Sequence, residues 1–154
     1  MIVCPECLVP VQKESEKYLC PNCARSYPFN NGVPCFADDA VRTSNGFKEE
    51  YFKDLFEVES RHFWFYGRSE LLYRIIKKEC KTGDRMLEIG CGTGGVMEYL
   101  SGRGISIEGG DMFLKAIEFA KKRIKTKFYQ FDIRKLPFIE EFNMIGIFDV
   151  LEHI

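Results

Sequence analysis

Glu88-Ile89-Gly90-Cys91-Gly92-Thr93-Gly94-Gly95 is the stretch that decides the fold. It joins an apolar run, Met86-Leu87-Glu88-Ile89, that reads as a strand to a segment, Gly95 to Leu100, that reads as a helix. Glycines at such a turn let the backbone take positive φ and let a ligand approach the main chain without meeting a Cβ. The helix behind them offers free N–H groups. Downstream the same alternation continues. Ile105-Ser106-Ile107 reads as a second strand and about Phe113 to Ile124 as a helix whose apolar side is Leu114, Ile117, Phe119 and Ala120. Lys127 to Phe131 reads as a third strand and Met144 to Phe148 as a fourth. Strands alternating with helices predict an α/β fold, a partial doubly wound parallel sheet of about four strands.

Upstream of the loop the composition changes. Phe47 to Cys80 carries helical periodicity, with Leu71, Leu72, Ile75 and Ile76 on one stripe. Asp38 to Gly46 is polar and reads as a linker. Residues 1–36 are rich in Cys, Pro and Asn, with short β-like runs at Lys17-Tyr18-Leu19 and Ser26-Tyr27-Pro28-Phe29 and turn signals at Asn22 and Asn31-Gly32. Two Cys-x-x-Cys pairs, Cys4/Cys7 and Cys20/Cys23, supply four soft thiolates suited to tetrahedral zinc. A module of this size buries too little apolar surface to fold without such a staple. Four thiolates leave no open position, so the zinc expected is structural. Cys35 stands outside this pairing of Cys-x-x-Cys motifs as a spare candidate. The expected organisation is a small zinc ribbon over residues 1–40, a helical aromatic-rich segment over 41–80, and the α/β unit over 81–154.

With 45% hydrophobic and 29% charged residues the chain has the makeup of a globular protein. No apolar run approaches the ~20 residues that cross a bilayer, and no secretory leader precedes Cys4, so the cytoplasm is the expected compartment and no membrane partner is expected. A net charge of -1 argues against a nucleic-acid binder driven by phosphate neutralisation. The first 40 residues hold three Lys/Arg (Lys13, Lys17, Arg25) against five Asp/Glu (Glu6, Glu14, Glu16, Asp38, Asp39).

Gly90-x-Gly92-x-x-Gly95 satisfies the dinucleotide fingerprint, so the glycines alone do not name a cofactor. Glu88 discriminates. A carboxylate at the strand end repels a pyrophosphate and attracts the amino group of a methionine moiety, by on the order of 1 to 4 kcal/mol. The stretch Leu87 to Gly94 closely resembles the first motif of class I S-adenosylmethionine-dependent methyltransferases, which have a Rossmann-like fold. Asp111 lies 21 residues after Gly90, close to the spacing at which an acidic residue meets a ribose. The resemblance implies that role for Asp111 in Gly109-Gly110-Asp111-Met112. It implies that Asp132 receives the adenine amino group, with Ile133 against the ring. Phe142 to Ile154 resembles the fourth motif, with Asp149 at the strand end and Asn143 where the family usually has Asp. Cys91 occupies a position where the family commonly has Cys without using it chemically. The cysteine module resembles the ribbon ahead of some methyltransferases, including ones that act on ribosomal RNA.

The resulting expectation is methyl transfer from S-adenosylmethionine, with Glu88, Gly90, Gly92, Gly94, Asp111, Met112, Asp132, Ile133 and Asp149 at the cofactor and Cys4, Cys7, Cys20 and Cys23 at zinc. The acceptor is expected to be a small molecule, with RNA as the alternative. A ribbon-based RNA-binding or docking module and an NAD-binding oxidoreductase fragment are the competing readings. The family has seven strands and four are legible here, so a C-terminally truncated methyltransferase is expected, with its own turnover left open. No general base is assigned; for His153, and for Asp149 beside its place at the cofactor, capping of the strand or of the helix that follows is the plainer reading. Arg61-His62-Phe63-Trp64-Phe65-Tyr66-Gly67-Arg68 is expected to be core packing of a helix on the sheet with solvated arginines; a lid, a substrate wall or a base-stacking surface is the alternative.

Overall fold

A computed structural model of the protein describes residues 1–37 and 49–153. The stretch read as a linker, Asp38 to Gly46, and Phe47 at the start of the helical segment lie outside the described residues.

The N-terminal module is an antiparallel sheet of β1 (Gln12–Lys13), β2 (Lys17–Leu19), β3 (Ser26–Asn30) and β4 (Val33–Pro34), in the order β1-β2-β3-β4. Asn31 and Gly32 close the β3–β4 hairpin with positive φ at both positions, 48° and 77°, the left-handed pair that a two-residue hairpin turn requires. Two helices follow, α1 (Glu49–Glu59) and α2 (Phe63–Glu79). His62 begins α2 by accepting a hydrogen bond from the Trp64 N–H at Nδ1.

Then come β5 (Met86–Ile89), α3 (Gly95–Ser101), β6 (Ile107–Asp111), α4 (Leu114–Arg123), β7 (Phe128–Gln130), β8 (Met144–Ile147) and a short 3₁₀ turn, Leu151–His153. The four strands form a parallel sheet in the order β7-β6-β5-β8. Reversal of direction at β5 creates the switch point where open α/β sheets bind ligands. The second strand begins later than Ile105-Ser106-Ile107 indicated. Its last three residues are Gly109-Gly110-Asp111, which composition marks as a turn. These glycines are strand residues because their neighbours need the space. A Cβ on Gly110 would lie 2.1 Å from the Phe131 ring, and one on Gly109 2.6 Å from Met97 Sδ.

The sheet has two differently covered faces. Met86, Ile107 and Phe128 face α3 and α4, packing with Met97, Leu100, Ile117 and Ala120. Leu87, Ile89, Tyr129 and Phe131 face the other way, onto Cys4, Cys20, Tyr27 and Phe36 of the cysteine module. The β7–β8 connection contains no helix, so the module and this irregular segment cover that face. Main-chain bonds sew them together: Val3 N–H to Pro137 O at 2.9 Å, Phe36 N–H to Gln130 O at 2.7 Å, and Ile139 N–H to Met1 O at 3.0 Å. The Met1 ammonium pairs with Glu141, and Lys135 with Glu6.

Of the stripe read on α2, Leu72 and Ile76 pack into the core while Leu71 and Ile75 are exposed. No helix among the described residues is long and apolar enough to cross a membrane.

Candidate cofactor cleft

A cleft of about 840 Å³ opens at the carboxyl ends of the parallel strands. Its floor is the glycine loop. Gly90 and Gly92 have φ of 73° and 52°, and a Cβ on Gly90 would strike Val150 Cγ2 at 2.2 Å. The N–H groups of Gly90 and Cys91 both donate to Gly110 O, at 2.7 and 3.0 Å, which splices the loop to β6. Gly94 stands behind the cleft rather than in its wall. It is the N-cap of α3, with φ of 82° and its Cα face against Ala120.

Glu88 is 3% exposed, and its Oε2 is buried without a hydrogen-bond partner. Burial pushes its carboxyl up to about 8; Arg68 opposes the shift, while Glu59, Asp111 and Asp149 add to it. Near neutral pH the group therefore holds its proton. This modifies the charge argument drawn from the sequence. Repulsion of a pyrophosphate by a standing Glu88 charge is weaker than the position alone suggested.

Asp111 accepts from Gly92 N–H at Oδ2 and from Phe113 N–H at Oδ1, both at 2.8 Å. Burial raises its pKa, and the N–H donors of Phe113, Gly92 and Met112 counter that. Each oxygen keeps a further lone pair for a ligand hydroxyl. Asp132 is gripped by Arg134, whose Nε and Nη2 donate to it, and that bond holds its carboxyl below the usual range. Met112 and Ile133 line the same wall. Asp149, in a left-handed conformation with φ of 54°, pairs with Arg68 Nη2 at 2.5 Å. Burial pushes the Cys91 thiol well up, which makes it a poor nucleophile. The side chain of His153 lies outside the described residues.

Glu59 was not legible as a site residue, and for the aromatic segment with Arg68 the structure favours the alternative reading over core packing. Glu59, at the end of α1, accepts from Thr93 Oγ1 at 2.5 Å and pairs with Arg123 at 3.2 Å, tying α1 to the glycine loop. Its carboxyl is raised by burial against the pull of Thr93, Arg123 and Arg68. No local pattern signals a contact across 34 residues. The aromatic segment departs from the core-packing expectation: Phe63 is 81% exposed and Trp64 50%, and Trp64 and Phe65 form a wall of the cleft. Arg68, expected in solvent, is 19% exposed and lines the cleft.

The four Sγ atoms of Cys4, Cys7, Cys20 and Cys23 lie within 4.8 Å of one another. Cys4 and Cys23 are 3.8 Å apart, which is the edge of a tetrahedron of sulfurs about 2.3 Å from a central zinc. Burial opposes ionisation of Cys4, but hydrogen bonds from Tyr27, at 3.0 Å, and from the Glu6 and Cys7 N–H groups outweigh it and lower the thiol to about 6. The donor chemistry fits zinc. The orphaned Glu88 oxygen, the glycine cradle and Asp111 likewise fit a ligand with an ammonium group at one end and a ribose in the middle.

A family model described as a methyltransferase domain matches residues 60–154. The chain belongs to this family of S-adenosylmethionine-dependent methyltransferases. Among solved structures, an S-adenosyl-L-methionine-dependent methyltransferase, so far putative, from Methanococcus maripaludis superposes with a TM-score of 0.60 at 19% identity, covering 73% of this chain and 56% of that one. The PH0226 protein of Pyrococcus horikoshii OT3 is 30% identical, with a TM-score of 0.56 and coverage of 71% and 54%. CalS10, an amino pentose methyltransferase of Micromonospora echinaspora solved with S-adenosylmethionine bound, is 18% identical, with a TM-score of 0.52 and coverage of 68% and 44%. The chain spans about half the length of these structures. A search of curated proteins finds no match.

Proposed function

We propose that this methyltransferase-family protein binds S-adenosylmethionine in the cleft and transfers its sulfonium methyl group to a small-molecule acceptor, with a zinc ion in the ribbon as a structural cross-link. The observation that carries the reading is the buried, unpartnered oxygen of Glu88, a residue that lines the cleft together with the glycine loop. Inside the protein such an orphan costs free energy unless a ligand cation completes it. The donor's ammonium group supplies that partner. Gly90 to Gly92 let the nucleoside lie against bare main chain, and Asp111 accepts from the ribose hydroxyls. Met112 and Ile133 flank the adenine, and Asp132, still held by Arg134, accepts from its amino group.

When bound, the donor supplies an activated methyl group, so the protein's own residues chiefly orient the sulfonium and exclude water. Trp64 and Phe65 border the remaining space, an apolar wall suited to a small acceptor. The acidic first 40 residues speak against an RNA phosphate backbone as the partner.

Calorimetric titration of the protein with S-adenosylhomocysteine and with NAD tests the cofactor. Saturable binding of the first and none of the second is expected; preference for NAD reverses the assignment. Elemental analysis tests the metal, with one zinc per chain expected, and a chain free of zinc after purification without chelator removes that part of the proposal.

A further inference from the structure

The part of the cleft that the proposed donor leaves open is walled by rings. Tyr51 and Phe52 come from α1, Trp64 and Phe65 from α2, and Phe148 stands directly after β8. The rings cross one another: Trp64 meets Phe65 edge to face at 5.0 Å and 88°, and Tyr51 meets Phe52 at 6.0 Å and 73°. Crossed rings hold each other's planes, so this wall has fixed flat faces rather than the adaptable surface of aliphatic chains. Trp64 and Tyr51 are 50% and 49% exposed, which leaves large apolar faces in water at the edge of a cleft. Such faces mark a place where a ligand is covered.

Charge narrows the class of that ligand. Among the described residues that line the cleft, Glu59, Glu88, Asp111, Asp132 and Asp149 are acidic, and Arg68 and Arg134 are basic. Both arginines are engaged, Arg68 by Asp149 and Arg134 by Asp132, each at 2.5 Å. Glu59 is engaged in turn by Thr93 and Arg123. An acceptor with a carboxylate or phosphate group therefore meets an excess of acidic side chains, and each cation it meets already has a carboxylate partner. A sugar would need several polar groups to replace its water, and on this side α1 and α2 present mainly rings. A flat molecule with one polar atom gives up the least.

We propose that the methyl acceptor is an uncharged aromatic molecule bearing a ring hydroxyl or amino group and packed against Trp64 and Phe65. The proposal rests on the cofactor assignment above and names the substrate class for it. A lone pair on the ring oxygen or nitrogen forms the bond to the methyl carbon as the carbon–sulfur bond of the donor breaks. The electron pair of the broken bond stays on sulfur, which becomes the neutral thioether, and the acceptor's proton passes to water.

The experiment starts from protein saturated with S-adenosylhomocysteine and adds three probes by ligand-observed NMR titration: para-ethylphenol, its carboxylate analogue para-hydroxyphenylacetate, and its saturated analogue ethylcyclohexanol. Trp64 is the single tryptophan of the chain, so quenching of its fluorescence reports whether a probe reaches this wall. Para-ethylphenol is expected to bind and to quench, para-hydroxyphenylacetate to bind at least about tenfold more weakly, and ethylcyclohexanol at least about threefold more weakly. Trp64→Leu removes the ring at a half-exposed position and keeps an apolar side chain. It is expected to weaken para-ethylphenol at least about fivefold while leaving S-adenosylhomocysteine within about twofold. Equal or tighter binding of the carboxylate or of the saturated probe, no binding of para-ethylphenol, or an unchanged affinity in Trp64→Leu would overturn the substrate class and leave the cofactor assignment standing. Wild-type protein that fails to take up S-adenosylhomocysteine refutes the cofactor assignment and the substrate class together.

Discussion

Glu88 carries an unusual burden for a single side chain. Its folded pKa, near 8, lies far above the value of 4.5 for a free carboxyl, because burial removes water and three further carboxyl groups stand nearby. The folded state therefore holds the proton more tightly than the unfolded chain does. Stability from this group is complete below about pH 4.5 and is lost as pH rises toward 8. Glu88→Gln removes the titration and keeps the shape. Between pH 5 and 8, the decline in unfolding free energy is expected to be shallower in this variant by on the order of 3 kcal/mol, measured by urea denaturation without ligand. Parallel slopes for the two proteins would show that Glu88 is ionised throughout. With the donor's ammonium group seated against Glu88 as proposed, cofactor binding is expected to release a proton. S-adenosylhomocysteine affinity is expected to rise with pH between 6 and 8, by up to about tenfold per unit, and the heat of binding at pH 7 to depend on the buffer's ionisation enthalpy. Affinity that is flat across this window would mean that the ligand's ammonium does not meet this carboxyl.

At the scale of elements, β5, the glycine loop and α3 form one device, and it was legible because its signals are local. Apolar Met86 to Ile89, three left-handed glycines and the helix that follows lie within 16 residues, so periodicity and turn chemistry agree without help from the rest of the chain. β6 was harder to read. Gly109 and Gly110 carry no strand propensity, and the reason they are in a strand is the Phe131 ring and Met97, which sit elsewhere in the sequence. The site contacts of Glu59 and Arg68 escaped for the same reason: both come from helices whose register against the loop is a tertiary fact. The tight fit at β6 is testable. Gly110→Ala drives a methyl group to 2.1 Å from Phe131, whose ring is 2% exposed and has no room to retreat. A loss of about 1–3 kcal/mol in unfolding free energy is expected by urea denaturation. Phe131 leads directly into Asp132 and Ile133, so S-adenosylhomocysteine affinity is expected to fall as well. Unchanged stability in Gly110→Ala would show that the strand shifts freely at this point.

For the molecule as a whole, the cysteine module is part of the core of the α/β unit. Val3 and Cys4 are fully buried, Cys4 and Cys20 pack with Leu87, Ile89 and Phe131, and Phe36 donates to Gln130 at the edge strand β7. That edge continues into Asp132 and Ile133, so the ribbon supports one wall of the cofactor cleft from behind. With zinc bound as proposed, a segment this short would hold its shape through the metal, because crowded thiolates carry a cost that a cation offsets. Cys23 shows the crowding. A backbone bond from Arg25 favours its thiolate, but the contacts with Cys7, Cys20 and Cys4, together with burial, push it up to about 12. Withdrawing zinc is therefore expected to reach beyond the ribbon. On treatment with a high-affinity chelator, the protein should unfold in a single transition at lower temperature, and S-adenosylhomocysteine affinity should fall at least about tenfold at a temperature where the zinc-loaded protein is folded. The Cys20→Ser variant should behave as the chelated wild type. Two separate transitions, with nucleoside binding intact after chelation, would mean that the sheet closes its second face without the ribbon and that the main-chain bonds at Val3, Phe36 and Ile139 add little to it.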